Sequence, residues 1–215
     1  MNSEFYTSKM NVSEKKIEEL TVEEWGTLFP IKMVPYQSEW VTIFSTEKLI
    51  IEKKLGKDIA LDIEHIGSTS IPNLSSKGYI DILIDIPEER LFDETVIKDM
   101  QSLGYEYCMQ DGYGPIYMIF AKGFCRDGKN SQKFFVHMTP KTHSQIWDRI
   151  YFRDYLRKNE KIAREYEDLK LRLASRFSKD KRSFQKGKTD FVIKVTELAK
   201  QNNSEFRIQN SELNK

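Results

Sequence analysis

Residues 65–85 read HIGSTSIPNLSSKGYIDILID, bringing a glycine turn, several hydroxyls, a lysine and two carboxylates into a short stretch. Gly67 and Ser68 directly follow an alternating apolar run. With no Cβ at Gly67, the backbone can turn sharply there and come close to a ligand. Ser68, Thr69 and Ser70 add hydroxyls and amide N–H groups, the parts from which an anion nest is made. Downstream, Ile80, Ile82, Ile84 and Ile86 alternate with Asp81, Leu83 and Asp85, so a strand there shows isoleucines on one face and both acids on the other. Mg²⁺ takes one or two carboxylates together with phosphate oxygens and water. With phosphate and metal side by side, phosphoryl or nucleotidyl transfer is mostly positioning and charge neutralisation. Each part has a plainer reading: a Gly–Ser turn is ordinary turn chemistry, and two acids on a strand are often a solvated face. Their order and spacing make a site with Asp81 and Asp85 as metal ligands a working hypothesis.

Other residues carry paired readings. His65, beside the turn, is a ligand or proton carrier, or a hydrogen-bonded structural histidine. Lys77 neutralises a phosphate or pairs with Asp81, and Lys188, in KGKTDF, has the same two options. Arg153, in YFRDYL, can clamp a phosphate with its planar fork, or form an ion pair with Asp154 or another helix. Glu64 could supply a further acid or face solvent. His143 reads as a helix-start residue, and Lys170 as one of many lysines on a solvated helix. No G-x-x-x-x-G-K-[ST] and no G-x-G-x-x-G after a strand occurs, and Gly112 and Gly114 read as a turn. Cys108 and Cys125, the only cysteines, are too few for a zinc cluster or a disulfide framework, which fits reduced thiols in a cytoplasm.

The elements that must position these residues follow from periodicity. A short helix over 20–30 is stopped by Pro30, and a longer one starts at Ser38, a candidate N-cap. Strands are predicted at 59–66, 79–86, 105–109, 115–122 and 132–138, with a helix over 88–103. From His143 the chain is helical. Its apolar stripes are Trp147, Ile150 and Tyr151, then Ile162, Tyr166, Leu169, Leu173 and Phe177, then Phe191, Val195 and Leu198. Sheet first and helices afterwards implies an α+β fold with a mixed sheet, flanking helices and a helical C-terminal part. The expected divisions are an N-terminal arm over 1–33, whose first 20 residues are polar and frayed or weakly helical, one domain over 34–200, and a loose tail over 201–215.

The chain has 215 residues and a net charge of +1, with 39% hydrophobic and 31% charged residues, values of an ordinary globular protein. No apolar run approaches the ~20 residues of a membrane span, and the polar start carries no signal core, so a cytoplasmic location without membrane contact is expected. The charge is uneven: residues 1–64 carry a net −4 and residues 141–188 a net +8. A basic half can face an anionic ligand, or it can be the solvated side of charged helices. No strand interleaves aromatic and basic residues as RNA readers do, which argues against a nucleic-acid partner.

EHIGSTSIPNLSSKGYIDILIDI resembles the signature of the GrpB family, in which a His-Ile-Gly-Ser-Thr-Ser turn precedes a lysine and an Ile-Asp-Ile strand. The resemblance continues through VPYQSEW (34–40), FVHM (135–138), IWDRIYFRDYLRKNEKIAREYEDLKLRLA (146–174) and KGKTDFV (186–192). That family is similar to the nucleotidyltransferase superfamily, marked by a Gly-Ser turn and a strand with Asp-x-Asp or Asp-x-Glu. The resemblance implies a nucleotidyltransferase-like fold in which Gly67 and Ser68 match the turn and Asp81 the first acid. The second acid falls on Leu83, with Asp85 two residues further along. The later-strand position of the third acid is His137, which the match makes a candidate catalytic residue. Asn73 and Gly78 stand where the family has Gly and Pro, and residues 133–135 where it has further histidines. What is implied is binding of a nucleotide or another phosphorylated ligand, with nucleotidyl transfer using Mg²⁺ on Asp81 and Asp85. The alternative is a catalytically inactive ligand-binding or protein-interaction module.

Overall fold

In the computed structural model, residue 12 and residues 15–108, 117–127 and 131–213 are described, with side chains as far as residue 203. The strands are β1 (Asp62–Ile66), β2 (Ile80–Asp85), β3 (Glu106–Cys108), β4 (Met118–Lys122) and β5 (Phe134–Met138). They form one mixed sheet in the order β1-β2-β5-β4-β3, in which β2 and β5 run parallel and the other neighbours antiparallel. The helices are α1 (Val22–Leu28), α2 (Glu39–Leu55), α3 (Glu94–Ser102), α4 (Ser144–Trp147), α5 (Arg149–Lys158), α6 (Glu160–Arg176), α7 (Lys181–Gly187) and α8 (Thr189–Leu213). This is the α+β architecture with a mixed sheet that the sequence implies.

Strand β2 assigns chemistry to sides. Ile80, Ile82 and Ile84 are fully buried against Trp40 and Ile51 of α2 and Val96 and Met100 of α3. Burying each isoleucine contributes about 1.5–3 kcal/mol. Leu83 points the other way, into a second cluster with Ile66, Tyr117, Ile146 and Trp147. The alternation therefore turns the side chains of Asp81 and Asp85 toward the face covered by the C-terminal helices.

Several elements are shorter than their patterns suggest. The helix expected over 88–103 is a 3-10 turn at Glu88–Arg90 and then α3. Phe92, at φ +64°, breaks the run, and Asp93 recaps it by accepting from the N–H groups of Thr95 and Val96. Strand β1 begins at Asp62 because its ladder with β2 ends where Asp62 meets Asp85. Ser38 stands at the N-cap of α2 but makes no side-chain cap bond, since its own backbone is already helical. Helix α8 continues to Leu213, through the segment expected to be a loose tail. Gly112 and Gly114, residues 115–116 of the expected fourth strand, and residues 1–11, 13 and 14 of the arm lie outside the described residues.

The arm that is described packs onto the sheet. Thr21 and Glu24 form a capping box at the start of α1, and Ile17 and Phe29 are buried with Ala121 and Phe124. Ile17 N–H donates to Glu106 Oε2 at 3.0 Å.

Beneath the α2 face, buried Glu47 accepts from Tyr105 Oη at 2.9 Å and from Lys122 Nζ at 2.6 Å. A buried carboxylate needs such partners. Tyr105→Phe removes a hydrogen bond to a charged group and should cost about 1.5–3 kcal/mol. Urea unfolding checks it, and an unchanged midpoint would show that Lys122 satisfies Glu47 alone.

Candidate functional site

A cavity of about 400 Å³ opens between β2, the 67–79 loop, α6, α7 and the arm. The loop contributes Gly67, Ser68, Ser76 and Lys77, and β2 contributes Asp81. Lys170 comes from α6, and Lys181 and Lys188 from the two ends of α7. Trp25, Tyr79, Phe135, Phe152, Tyr166 and Phe184 form apolar walls. A second cavity of about 520 Å³ adjoins it, lined by Arg149, Arg153, Ile193 and Thr196 among others. Gly67, Asp81, His137 and Lys188 line both.

The turn is built around Gly67, whose φ of +73° and ψ of −176° suit glycine alone. A Cβ added there would overlap Asp81 Oδ2 and come within 2.9 Å of its Cγ, so the carboxylate lies directly against the turn. Ser68 leads the 3-10 turn Ser68–Ser70. Its Oγ accepts from Lys170 Nζ at 3.0 Å, and the same ammonium donates to Ser75 O at 2.5 Å. Thr69 and Ser70 line neither cavity. Thr69 Oγ1 donates to Tyr79 O at 3.0 Å, and Ser70 Oγ donates to Gly67 O at 2.6 Å. Their hydroxyls hold the loop together.

His65 is likewise internal. Its Nε2 lies 3.1 Å from Thr69 Oγ1 and its ring stacks on Phe44 at 4.6 Å. Burial, with Arg157 and Arg153 nearby, pulls its pKa down to about 3, so it is neutral. Arg153 lines the second cavity but is committed within the protein. Its Nε donates to Asp154 at 2.7 Å, and its Nη1 to Glu64 at 2.5 Å and His65 O at 2.9 Å. Of the two readings open to it from sequence, the ion pair is the one observed.

Asp81 accepts no hydrogen bond from the described residues. Burial pushes its pKa up, while Lys77, Lys188, Arg149 and Lys181 draw it back down. Burial pulls Lys77 to about 8, with Lys188 adding repulsion and Asp81 opposing. Lys181 is pulled to about 8 and Lys170 to about 7 by burial first and neighbouring lysines second. Burial also lowers Lys188, with Asp81 opposing and Arg149 adding repulsion. Lys77 Nζ sits over the Tyr79 ring at 4.6 Å and Lys181 Nζ over Trp25 at 4.0 Å. Aromatic faces offer these ammoniums modest stabilisation but no full charge partner.

His137 is neutral because burial, and then Arg149 and Lys181, hold its pKa well below the ordinary value. Its Nδ1 lies 3.2 Å from Tyr117 Oη, which accepts from Arg149 at 3.2 Å. The sheet register sets His137 beside Leu83 on the same face as Asp81.

The two carboxylates expected to share Mg²⁺ stand apart. Leu83, fully buried, occupies the next position on the Asp81 face. Asp85 lines neither cavity; at the far end of β2 it accepts the Lys141 N–H at 2.9 Å, with Lys141 Nζ 3.7 Å away. Four residue steps of about 3.3 Å each separate it from Asp81, so the pair expected to share an ion is not brought together. Glu18 reaches the cavity from the arm, but among the described residues no three His, Cys, Asp or Glu side chains gather as a metal site.

Three contributors escape a sequence reading. Lys170 is a correction: it is 2% exposed, on the inward stripe Ala163, Tyr166, Lys170 and Ala174 of α6. The fourfold spacing from Tyr166 was the available signal. Lys181 shares a helical face with Phe184 and Lys188, at i, i+3 and i+7. Arg157 fixes the turn by donating from Nε and Nη2 to Ser70 O at 3.0 and 2.7 Å; nothing in its local sequence marks it out.

Comparison with known proteins agrees with this architecture. The family model described as GrpB protein matches residues 30–198. UPF0157 protein YqkA of Bacillus subtilis is 32% identical over 173 residues, covering 79% of this chain and 47% of that protein, so the chain spans about half its length. Glutamate-rich protein GrpB of Alkalihalophilus pseudofirmus is 28% identical over 169 residues, covering 76% of this chain and 92% of that protein. The crystal structure of conserved protein GrpB from Enterococcus faecalis superposes with a TM-score of 0.68 at 28% identity, covering 80% of this chain and 99% of that one. With a family match across most of its length and a shared fold, the chain belongs to the GrpB family.

Proposed function

We propose that the protein binds a nucleotide or another phosphorylated small molecule in the cavity beside Gly67 and Asp81. The observation that carries this reading is the convergence of Lys77, Lys170, Lys181 and Lys188 on one aromatic-walled space. Lys170 is buried and the other three are half-buried, and an ammonium drawn out of water is costly unless an anion joins it. Phosphate oxygens satisfy several donors at once, and the ring faces suit a flat apolar group such as a base. Ser68, already oriented by Lys170, adds a hydroxyl.

Calorimetric titration with nucleoside triphosphates tests the reading. One saturable site is expected. Lys188→Ala should lose about 2 kcal/mol or more of binding, as truncated buried charge contacts do. Lys186→Ala, on an exposed position of α7, should lose nothing. Absence of binding by every nucleotide and phosphate ester tried would end the proposal.

Nucleotidyl transfer is a second reading, favoured by one observation: Asp81 and His137 stand on the wall common to both cavities. A donor phosphate in one cavity and an acceptor hydroxyl in the other would meet there. Pyrophosphate release from bound nucleotide, alone or with candidate alcohols, is its readout. Binding without release leaves a ligand-binding module. Among the described residues no helix is long and apolar enough to cross a membrane. The free thiols of Cys108 and Cys125 support a cytoplasmic setting.

A further inference from the structure

We propose that the cavity takes its phosphate-bearing ligand without a divalent metal, the ammoniums of Lys77, Lys181 and Lys188 supplying the neutralising charge directly. The inference rests on the reading above that a phosphorylated ligand occupies this cavity, and it names how that ligand's charge is met.

The geometry carries it in two ways. First, none of these three ammoniums has a hydrogen-bond acceptor or carboxylate within salt-bridge distance among the described residues. Their neighbours are ring faces, Tyr79 and Phe184 for Lys77, Trp25 and Phe135 for Lys181, and Phe184 for Lys188. An ammonium has three donors and no acceptor, so the cavity presents a set of charged donors that none of the described residues receives. Lys170 differs, since Ser68 and Ser75 already engage it. A di- or triphosphate, with roughly three or four negative charges near neutral pH, matches this set.

Second, β2 brings one carboxylate to the cavity where a metal shared by two strand acids would need both. Asp81 reaches the cavity alone from its strand, Leu83 fills the adjacent position on that face, and Asp85 is held by Lys141 at the other end. A dication beside Asp81 would also enter the field of the surrounding lysines, and like charges at a few ångströms in a partly enclosed space cost several kcal/mol. Asp81 serves instead to balance part of the lysine charge when the cavity is empty, which agrees with the opposing influences on its ionisation and on that of Lys77.

The test is calorimetric titration of the full chain with inorganic tripolyphosphate and with ATP, each in EDTA and each in excess Mg²⁺. Both probes are expected to bind in EDTA at least as tightly as in Mg²⁺, because the metal competes with the lysines for the same oxygens. Lys77→Gln and Lys181→Gln should each weaken tripolyphosphate binding about tenfold or more, in line with loss of a buried charge contact. Asp81→Asn should not weaken it, whereas a metal ligand's loss would. The wild-type comparison needs no variant, so a misfolded mutant cannot obscure the answer. If either probe binds only with Mg²⁺, the metal-free inference fails while the ligand reading stands. If neither binds in either condition, both fail.

Discussion

Gly67→Ala is expected to destabilise the protein by about 2–6 kcal/mol, combining backbone strain of roughly 1–3 with overpacking of roughly 1–3 kcal/mol. It should also abolish ligand binding at the cavity. Two independent demands meet at this residue. Its φ of +73° and ψ of −176° lie in a region that residues with a Cβ scarcely enter. The added Cβ would also overlap Asp81 Oδ2 and lie 3.0 Å from the Asp81 Cβ. Relief requires the turn to move off β2, which pulls Ser68 from Lys170 and opens the Arg157 contacts to Ser70. Gly104→Ala is the control. Gly104 has φ +84°, but an added Cβ there meets nothing within 4 Å. It should cost only the backbone strain, about 1–2 kcal/mol, and leave binding untouched. Chemical denaturation of both variants, with binding measured on the folded fraction, separates strain from clash. Equal losses in the two would show that contact with Asp81 contributes nothing.

The second large effect is on pH dependence. Affinity for a polyphosphate is expected to fall steeply as pH rises from about 7 to 9, by about tenfold per pH unit for each lysine that must regain its proton. The direction follows from the lowered lysine pKa values. In the empty cavity Lys170 loses its proton near 7, and Lys77 and Lys181 near 8, instead of near 10.5. Below those values the ammoniums are charged before the anion arrives, and no proton need be taken up. Above them, binding must draw protons from solution, so it weakens with pH. A solvated lysine cluster would stay charged across the whole range and show a flat profile. Titration in two buffers of different ionisation enthalpy gives the number of protons taken up. None at pH 8.5 would mean that these lysines are not the groups that meet the phosphates.

The fold was legible to the extent that it rests on local periodicity. Alternation over 79–86 establishes β2 and the side each residue faces, because a pleated strand has a period of two whatever surrounds it. The stripe through Tyr166 likewise establishes α6. The order of strands, and the parallel pairing of β2 with β5, have no local signature, since both depend on chain crossings over the sheet. A helix end escapes periodicity where a single backbone conformation intervenes, as at Phe92.

By itself the sequence determined a Gly–Ser turn, an acid-bearing strand, a basic helical half and membership of one family. The tertiary structure alone decided which of these groups meet. Asp81 and Asp85 share a strand face, yet strand rise and the bulk of Leu83 hold them apart, and Lys141 claims the second acid. His65, Thr69 and Ser70, next to the turn in sequence, are bound up in its internal hydrogen bonds. Lys170 and Lys181, some 90 residues or more beyond the turn, come to its cavity because α6 and α7 lay their inner faces against it. A net charge counted along the chain cannot distinguish an ammonium in water from one enclosed by tryptophan, tyrosine and phenylalanine. Packing makes that distinction, since burial withdraws the water that would otherwise hold the charge.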